Sequence, residues 1–244
     1  MFFYGFDWTY LVFVLPAMLF SLWASARVKS AYQTYGKTRT QRGLTGKQAA
    51  QEVLRQNGVY DVRIERIEGE LTDHYDPKNN VIRLSAQVHD GASAASVGVA
   101  AHEAGHAVQY AQNYAPIKVR AAIVNATNFA SKLSVPLIFI SLLLMSLELF
   151  LPYQNVLYYI AIGGVLCFGM CVVFQLVTLP VEYNASRRAM QAIEQSRMLT
   201  EPEQKAARKM LSAAALTYVA ALTVTLAQFL RLMLIVTRNR RRDE

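Results

Sequence analysis

The stretch LFLPYQNVLYYIAIGGVLCFGMCVVFQLVTLPV, Leu149 to Val181, runs 33 residues without a charged side chain. That is well beyond the roughly 20 residues of helix that cross a hydrocarbon core. It has companions. Leu133 to Leu147 precedes it, Trp8 to Ala26 is uncharged over 19 residues, and Met210 to Leu230 over 21 residues. The whole chain of 244 residues is 53% hydrophobic and 17% charged, against about 25% charged in an ordinary soluble domain. A freely soluble protein is excluded, as is a disordered one. The chain reads as a mainly α membrane protein with about four transmembrane helices, at 8–26, 131–151, 156–180 and 210–236.

The polar residues are grouped between these runs. Residues 27–130 form the one stretch long enough for a soluble unit, 181–209 a polar helical segment, and 237–244 a basic tail. The net charge of +8 is concentrated beside the apolar runs, which points to topogenic charge and contact with membrane lipids. No nucleic-acid reading module is present, so nucleic acid is not expected as a partner. Ala24-Ser25-Ala26 resembles a signal-peptide cleavage site, but Met1 to Asp7 carries no Lys or Arg. The first run is therefore expected to be an uncleaved anchor.

Arg27, Lys29, Lys37, Arg39 and Arg42 follow that run, and six basic residues lie between Arg187 and Lys209. Both polar segments are thus expected on the cytoplasmic side. The tail residues Arg238, Arg240, Arg241 and Arg242 conflict with this count. Cys167 and Cys171 sit four apart in one apolar run and make no disulfide framework or thiolate zinc site.

Within residues 27–130, Thr45 and Gln48 have capping-box spacing and Gly58 can supply a left-handed stop, which predicts a helix over Thr45 to Asn57. Val62 and Ile64 alternate with polar residues as in a short strand, and Val81 to Leu84 reads as a second. Thr72 to Asn80 reads as a turn-rich connector. Ala92 to about Asn113 lacks Pro and is rich in Ala, so a helix is expected there, closed by Pro116. A short basic connector with Lys118, Arg120 and Lys132 is expected before the second span, and Pro180 at the exit of the third.

The predicted Ala-rich helix contains His102-Glu103-Ala104-Gly105-His106. Residues four apart on a helix share a face, so both imidazoles can reach one metal ion while Glu103 stands beside its open position. That is the pattern of zinc hydrolases, in which the metal makes a water nucleophilic near neutral pH and the carboxylate takes its proton. The third ligand comes from elsewhere. Gln109 and Gln112 occupy the positions that a metzincin fills with Gly and His, which excludes that class. Candidates are Glu182, His74, His89, Asp73 and Asp76. Position favours Glu182, at the polar end of the third span. The strand Val81 to Ser85, through Val81 and Arg83, could form the edge that holds a substrate in extended form.

Three separated segments, HEAGHAVQ at His102 to Gln109, LTDHYDP at Leu71 to Pro77 and LPVEYNASRRA at Leu179 to Ala189, resemble the YugP-type neutral zinc metallopeptidases of bacterial membranes. The likeness spans nearly the whole chain, with the apolar runs in matching places. More distantly the layout is similar to the HtpX-type membrane proteases, whose third zinc ligand is a downstream Glu. The resemblance implies Glu182 as third ligand and a small α+β, gluzincin-like zinc-protease unit with a short sheet. It departs at Asn184, where the family usually carries Asp. On a regular helix Asn184 faces away from Glu182, whereas Ser186 shares its face and is better placed to support a ligand.

His74 and Tyr75 could donate to the oxyanion of a tetrahedral intermediate. Alternatively, Asp73, Asp76 and Pro77 simply build a tight turn. Arg187 and Arg188 could meet a substrate carboxylate or snorkel toward lipid. The expectation is a multi-pass zinc metalloendopeptidase of the cell (inner) membrane, with its site on the cytoplasmic side and peptides or membrane proteins as substrates. Membrane-protein quality control is a role by analogy only. Oligomeric state is left open. The rivals are an intramembrane protease and a non-catalytic, zinc-stabilised membrane scaffold.

Overall fold

The computed structural model describes residues 8–37 and 39–240, with side chains as far as Arg238. The segment 1–7 and the tail residues Arg241 and Arg242 lie outside the described residues. Among the described residues, four helices are long and apolar enough to cross a membrane, at Tyr10–Gly36, Ala115–Met145, Glu148–Gln195 and Glu201–Arg238. They make up most of the mainly α architecture, and a three-stranded sheet completes it.

In chain order the helices are α1 (Leu15–Gly36, preceded by a π-helical turn at Tyr10–Val14), α2 (Gly46–Gln56), α3 (Ala86–His89), α4 (Ala94–Ala111), α5 (Ala115–Met145), α6 (Gln154–Gln195) and α7 (Glu201–Arg240). The strands are β1 (Arg63–Ile67), β2 (His74–Asp76) and β3 (Val81–Ser85).

The contacts divide the chain into two compact units. The first takes the described parts of Met1–Leu22 and Val219–Glu244 together with Val119–Val177. Its interior is apolar: Ile138, Ala161, Val165, Leu232 and Val236 are buried against one another. Gly164 permits the closest approach, because a Cβ there would stand 2.9 Å from the carbonyl oxygen of Ser134. Large apolar side chains such as Phe129, Phe139 and Leu166 are exposed on this unit, as expected of helices that face lipid rather than water.

The second unit comprises Trp23–Lys118 and Thr178–Tyr218. Its core joins α2, α4 and the sheet to the ends of α6 and α7: Val53, Leu84, Val97, Ala101, Ile193 and Leu211 are among its buried members. Local signals dictate its first helix. Thr45 and Gln48 form the full capping box of α2, and Gly58 follows it at φ +68°.

The structure corrects three local expectations. The Thr72 to Asn80 connector contains β2, which pairs antiparallel with β3 through His74↔Arg83, Tyr75↔Ile82 and Asp76↔Val81. The turn proper is confined to Pro77–Asn80, where the Asp76 carboxylate accepts from the Lys78 and Asn79 amides. Second, β3 is not an edge. The order is β1-β3-β2, with β1 parallel to β3 from Arg63↔Val81 to Ile67↔Ser85. Third, the basic connector before the second span is helical: α5 starts at Ala115, and Pro116 sits in its first turn, where a missing N–H costs nothing. Pro180, expected at the exit of the third span, lies inside α6, which continues without a break into the polar segment.

Candidate metal centre

Ser93 caps α4 by accepting a hydrogen bond from the Ser96 amide. Small residues then carry the helix against α6. A Cβ added to Gly105 would stand 2.7 Å from the carbonyl oxygen of Ala185, so the two backbones are as close as glycine allows. This approach brings Glu182 on α6 to the two histidines of α4.

The Nε2 atoms of His102 and His106 each lie 3.3 Å from Glu182 Oε2. The rings stand edge to face with centroids 4.8 Å apart. Side-chain exposure is 12% for each histidine and 3% for Glu182, so the group is shielded yet reachable. Among the described residues, these three form the one cluster of possible ligand atoms within 4.8 Å of one another.

The far side of each ring is also held. His102 Nδ1 lies 3.1 Å from Ser186 Oγ, and His106 Nδ1 3.0 Å from Gln109 Oε1. Gln109 is fully buried, and its amide nitrogen donates to the Val181 carbonyl at 2.8 Å and to Asn184 Oδ1 at 3.0 Å. Its oxygen must therefore accept from His106 Nδ1–H, which leaves the Nε2 lone pair directed at Glu182. Two imidazole lone pairs and a carboxylate facing one point make a donor set suited to a divalent zinc-like cation. Burial disfavours a charged His106, but the nearby Glu182 carboxylate outweighs it and pushes the pKa up. The pocket attracts positive charge.

Glu103 lies beside this group. Its Oε2 accepts a hydrogen bond of 3.0 Å from the Tyr75 amide, on the side of β2 turned away from β3. Burial pushes the Glu103 carboxyl above its ordinary range, with His102 and His106 pulling the other way.

The remaining sequence candidates are committed elsewhere. Asp73 accepts from the Ser85 amide and hydroxyl, which locks the approach to β2 onto the end of β3. Asp76 is bound by the turn amides and by Arg83 Nη1 at 2.7 Å. His89 Nδ1 lies 2.6 Å from Asp90 Oδ1. His74 is exposed, with Nδ1 2.8 Å from the Thr72 carbonyl oxygen. The Tyr75 hydroxyl donates to Asn80 Oδ1 at 2.7 Å, and burial pushes its pKa up to about 12. The backbone of Tyr75, rather than its hydroxyl, meets the centre. Val81 is fully buried, and Arg83 on the central strand pairs with Asp76 and Glu65, so neither offers an edge to a substrate. Arg187 is exposed in a groove that Ser186 also lines.

Arg188 is inward and structural: it donates to Asn184 Oδ1 at 2.7 Å and to Gln112 Oε1, and lies over the Tyr114 ring. Asn184 therefore reaches the centre indirectly, through Gln109. By sequence alone Gln109 and Gln112 exclude a metzincin, and Gln109 closes the HEAGHAVQ segment, but neither is marked as a brace for His106. The missed signal was a lone polar residue three positions after His106 on the same Ala-rich face.

Because Gln109 fixes the His106 ring, Gln109→Leu is expected to weaken metal binding about 10–100-fold while the helical signal is retained. Competition against a fluorescent zinc chelator measures it. Wild-type affinity in that variant would deny Gln109 a positioning role.

Two imidazoles from an HExxH helix, a carboxylate from a second helix and an adjacent glutamate define a metallopeptidase-type centre, here in a chain with four apolar helices. The chain belongs to the family described as "Putative neutral zinc metallopeptidase", whose model matches residues 10–237. It is 42% identical over 233 residues to the "Putative membrane protease YugP" of Bacillus subtilis (strain 168), covering 95% of this chain and 98% of that protein. No solved structure matches it.

Proposed function

We propose that the protein is a membrane zinc metalloendopeptidase. The observation that carries this reading is the convergence of His102, His106 and Glu182 with Glu103 held beside them. A purely structural zinc site is closed by four protein ligands. Here the neighbouring carboxylate is bound by the Tyr75 amide instead. That arrangement favours catalysis over a scaffold.

Zinc on the three side chains would supply Lewis acidity, making water nucleophilic near neutral pH and polarising the scissile carbonyl. Glu103 would take the proton of the attacking water and return it to the amide nitrogen as the C–N bond breaks, leaving a carboxylate and an amine. The Tyr75 N–H holds that carboxylate in place without neutralising it. Substrate would lie extended along the outer side of β2, the edge nearest Glu103, rather than along β3.

Substrates would be peptides or exposed segments of membrane proteins, which fits a role in membrane-protein quality control. The basic residues around both polar segments favour the cytoplasmic face of the cell (inner) membrane. The test is casein cleavage by the full chain purified in detergent. Cleavage should stop on addition of a chelator and return with stoichiometric zinc. A protein that binds zinc tightly and cleaves neither casein nor a panel of unfolded membrane proteins would be the scaffold instead.

A further inference from the structure

We propose that a groove between α1 and α7 binds the phosphate of an anionic phospholipid headgroup. The groove encloses about 680 Å³ and lies within the second unit. Trp23, Arg27 and Tyr35 line it from α1, and Arg208, Lys209 and Ser212 from α7. No carboxylate is among its lining residues.

The charge is unbalanced. Arg208 pairs with Glu194, outside the groove. The Arg27 guanidinium lies 5.3 Å from the Trp23 ring centroid, and among the described residues neither Arg27 nor Lys209 has a carboxylate partner. Two uncompensated cations therefore share a concave surface with the Ser212 and Tyr35 hydroxyls. A guanidinium fork, an ammonium and hydroxyl donors are the groups that hold a phosphate.

Position in the chain decides which phosphate. Arg27 is the first charge after the uncharged Trp8 to Ala26, and Lys209 the last before the uncharged Met210 to Leu230. Both helices thus change from apolar to polar at one groove. That change marks the membrane–water boundary, where lipid phosphates stand and Trp side chains concentrate. Trp23 and Leu216 add apolar surface that a free phosphate would not use but a glycerol backbone would. A headgroup with net negative charge is preferred, because a choline would bring a third positive charge toward Arg27 and Lys209. The inference rests on the membrane-spanning reading of α1 and α7 and is independent of peptidase activity.

The test uses the full chain carrying Trp8→Phe, which leaves Trp23 as the single tryptophan of the original two. Trp23 emission is followed in nonionic detergent during titration with short-chain phosphatidylglycerol, short-chain phosphatidylcholine or inorganic phosphate. Phosphatidylglycerol should give a saturable change. R27Q/K209Q should weaken it about thirtyfold, and R27K/K209R should restore it. K209Q alone, at an exposed position, should lose about fivefold, and circular dichroism of each variant guards against misfolding. Equal binding of phosphatidylcholine, indifference to the Arg27 and Lys209 variants, or stronger binding of inorganic phosphate would overturn the proposal.

Discussion

Glu103→Gln is expected to keep its metal and lose peptide hydrolysis by about 10²–10⁴-fold, the usual contribution of a positioned general base. Glu182→Ala is expected to lose both. The contrast follows from where the two carboxylates sit. Glu182 Oε2 lies 3.3 Å from both imidazole Nε2 atoms, so removing it takes away one of the three donors and leaves two neutral rings. Glu103 is not one of the three converging donors, and its Oε2 is engaged by the Tyr75 amide.

A glutamine at 103 has nearly the same shape, and its carbonyl oxygen can still accept from that amide. It cannot take a proton. Metal content by mass spectrometry and casein cleavage, measured side by side, separate the two roles. Retained cleavage in Glu103→Gln would remove it as the base. Retained metal in Glu182→Ala would remove it as a ligand.

Much of this centre was legible in the sequence because helical periodicity is a local property. His102 and His106 share a face by spacing alone, and Thr45 with Gln48 announces a helix start by side-chain chemistry. The long uncharged runs are equally local, since hydrocarbon thickness sets their length. What stayed hidden depends on pairing across the chain. Three residues, His74 to Asp76, are too few for alternation to reveal a strand, and only their pairing with β3 makes one. That pairing turns β3 into the central strand and gives the edge near Glu103 to β2. The charges of Lys118, Arg120 and Lys132 suggest a connector, whereas a helix tolerates them on its surface. Gln109 was visible as a residue but not as a brace, because its partners Val181 and Asn184 lie more than 70 positions away.

The close approach of α4 and α6 yields a further large effect. Gly105→Ala is expected to lower thermal stability and weaken metal binding at least about tenfold, against the usual helical preference for Ala by up to about 1 kcal/mol. The new Cβ would stand 2.7 Å from the Ala185 carbonyl oxygen and 3.3 Å from its carbonyl carbon and Cα. These are backbone atoms of a continuous helix, so no side chain can rotate away, and α4 must move from α6. Overpacking of this kind costs about 1–3 kcal/mol. The movement also draws His102 and His106 away from Glu182, in a site whose donors tolerate only about 0.5 Å of error. Gly98→Ala, on the same helix, is the control. Its Cβ would meet Ala207 alone, with the Cβ at 3.5 Å, the Cα at 3.7 Å and the carbonyl oxygen at 3.8 Å, all ordinary contacts, so stability should hold or rise and zinc affinity should not change. Thermal unfolding and chelator competition on the two variants measure the difference. Equal behaviour would mean that the separation of α4 and α6 does not set the geometry of the centre.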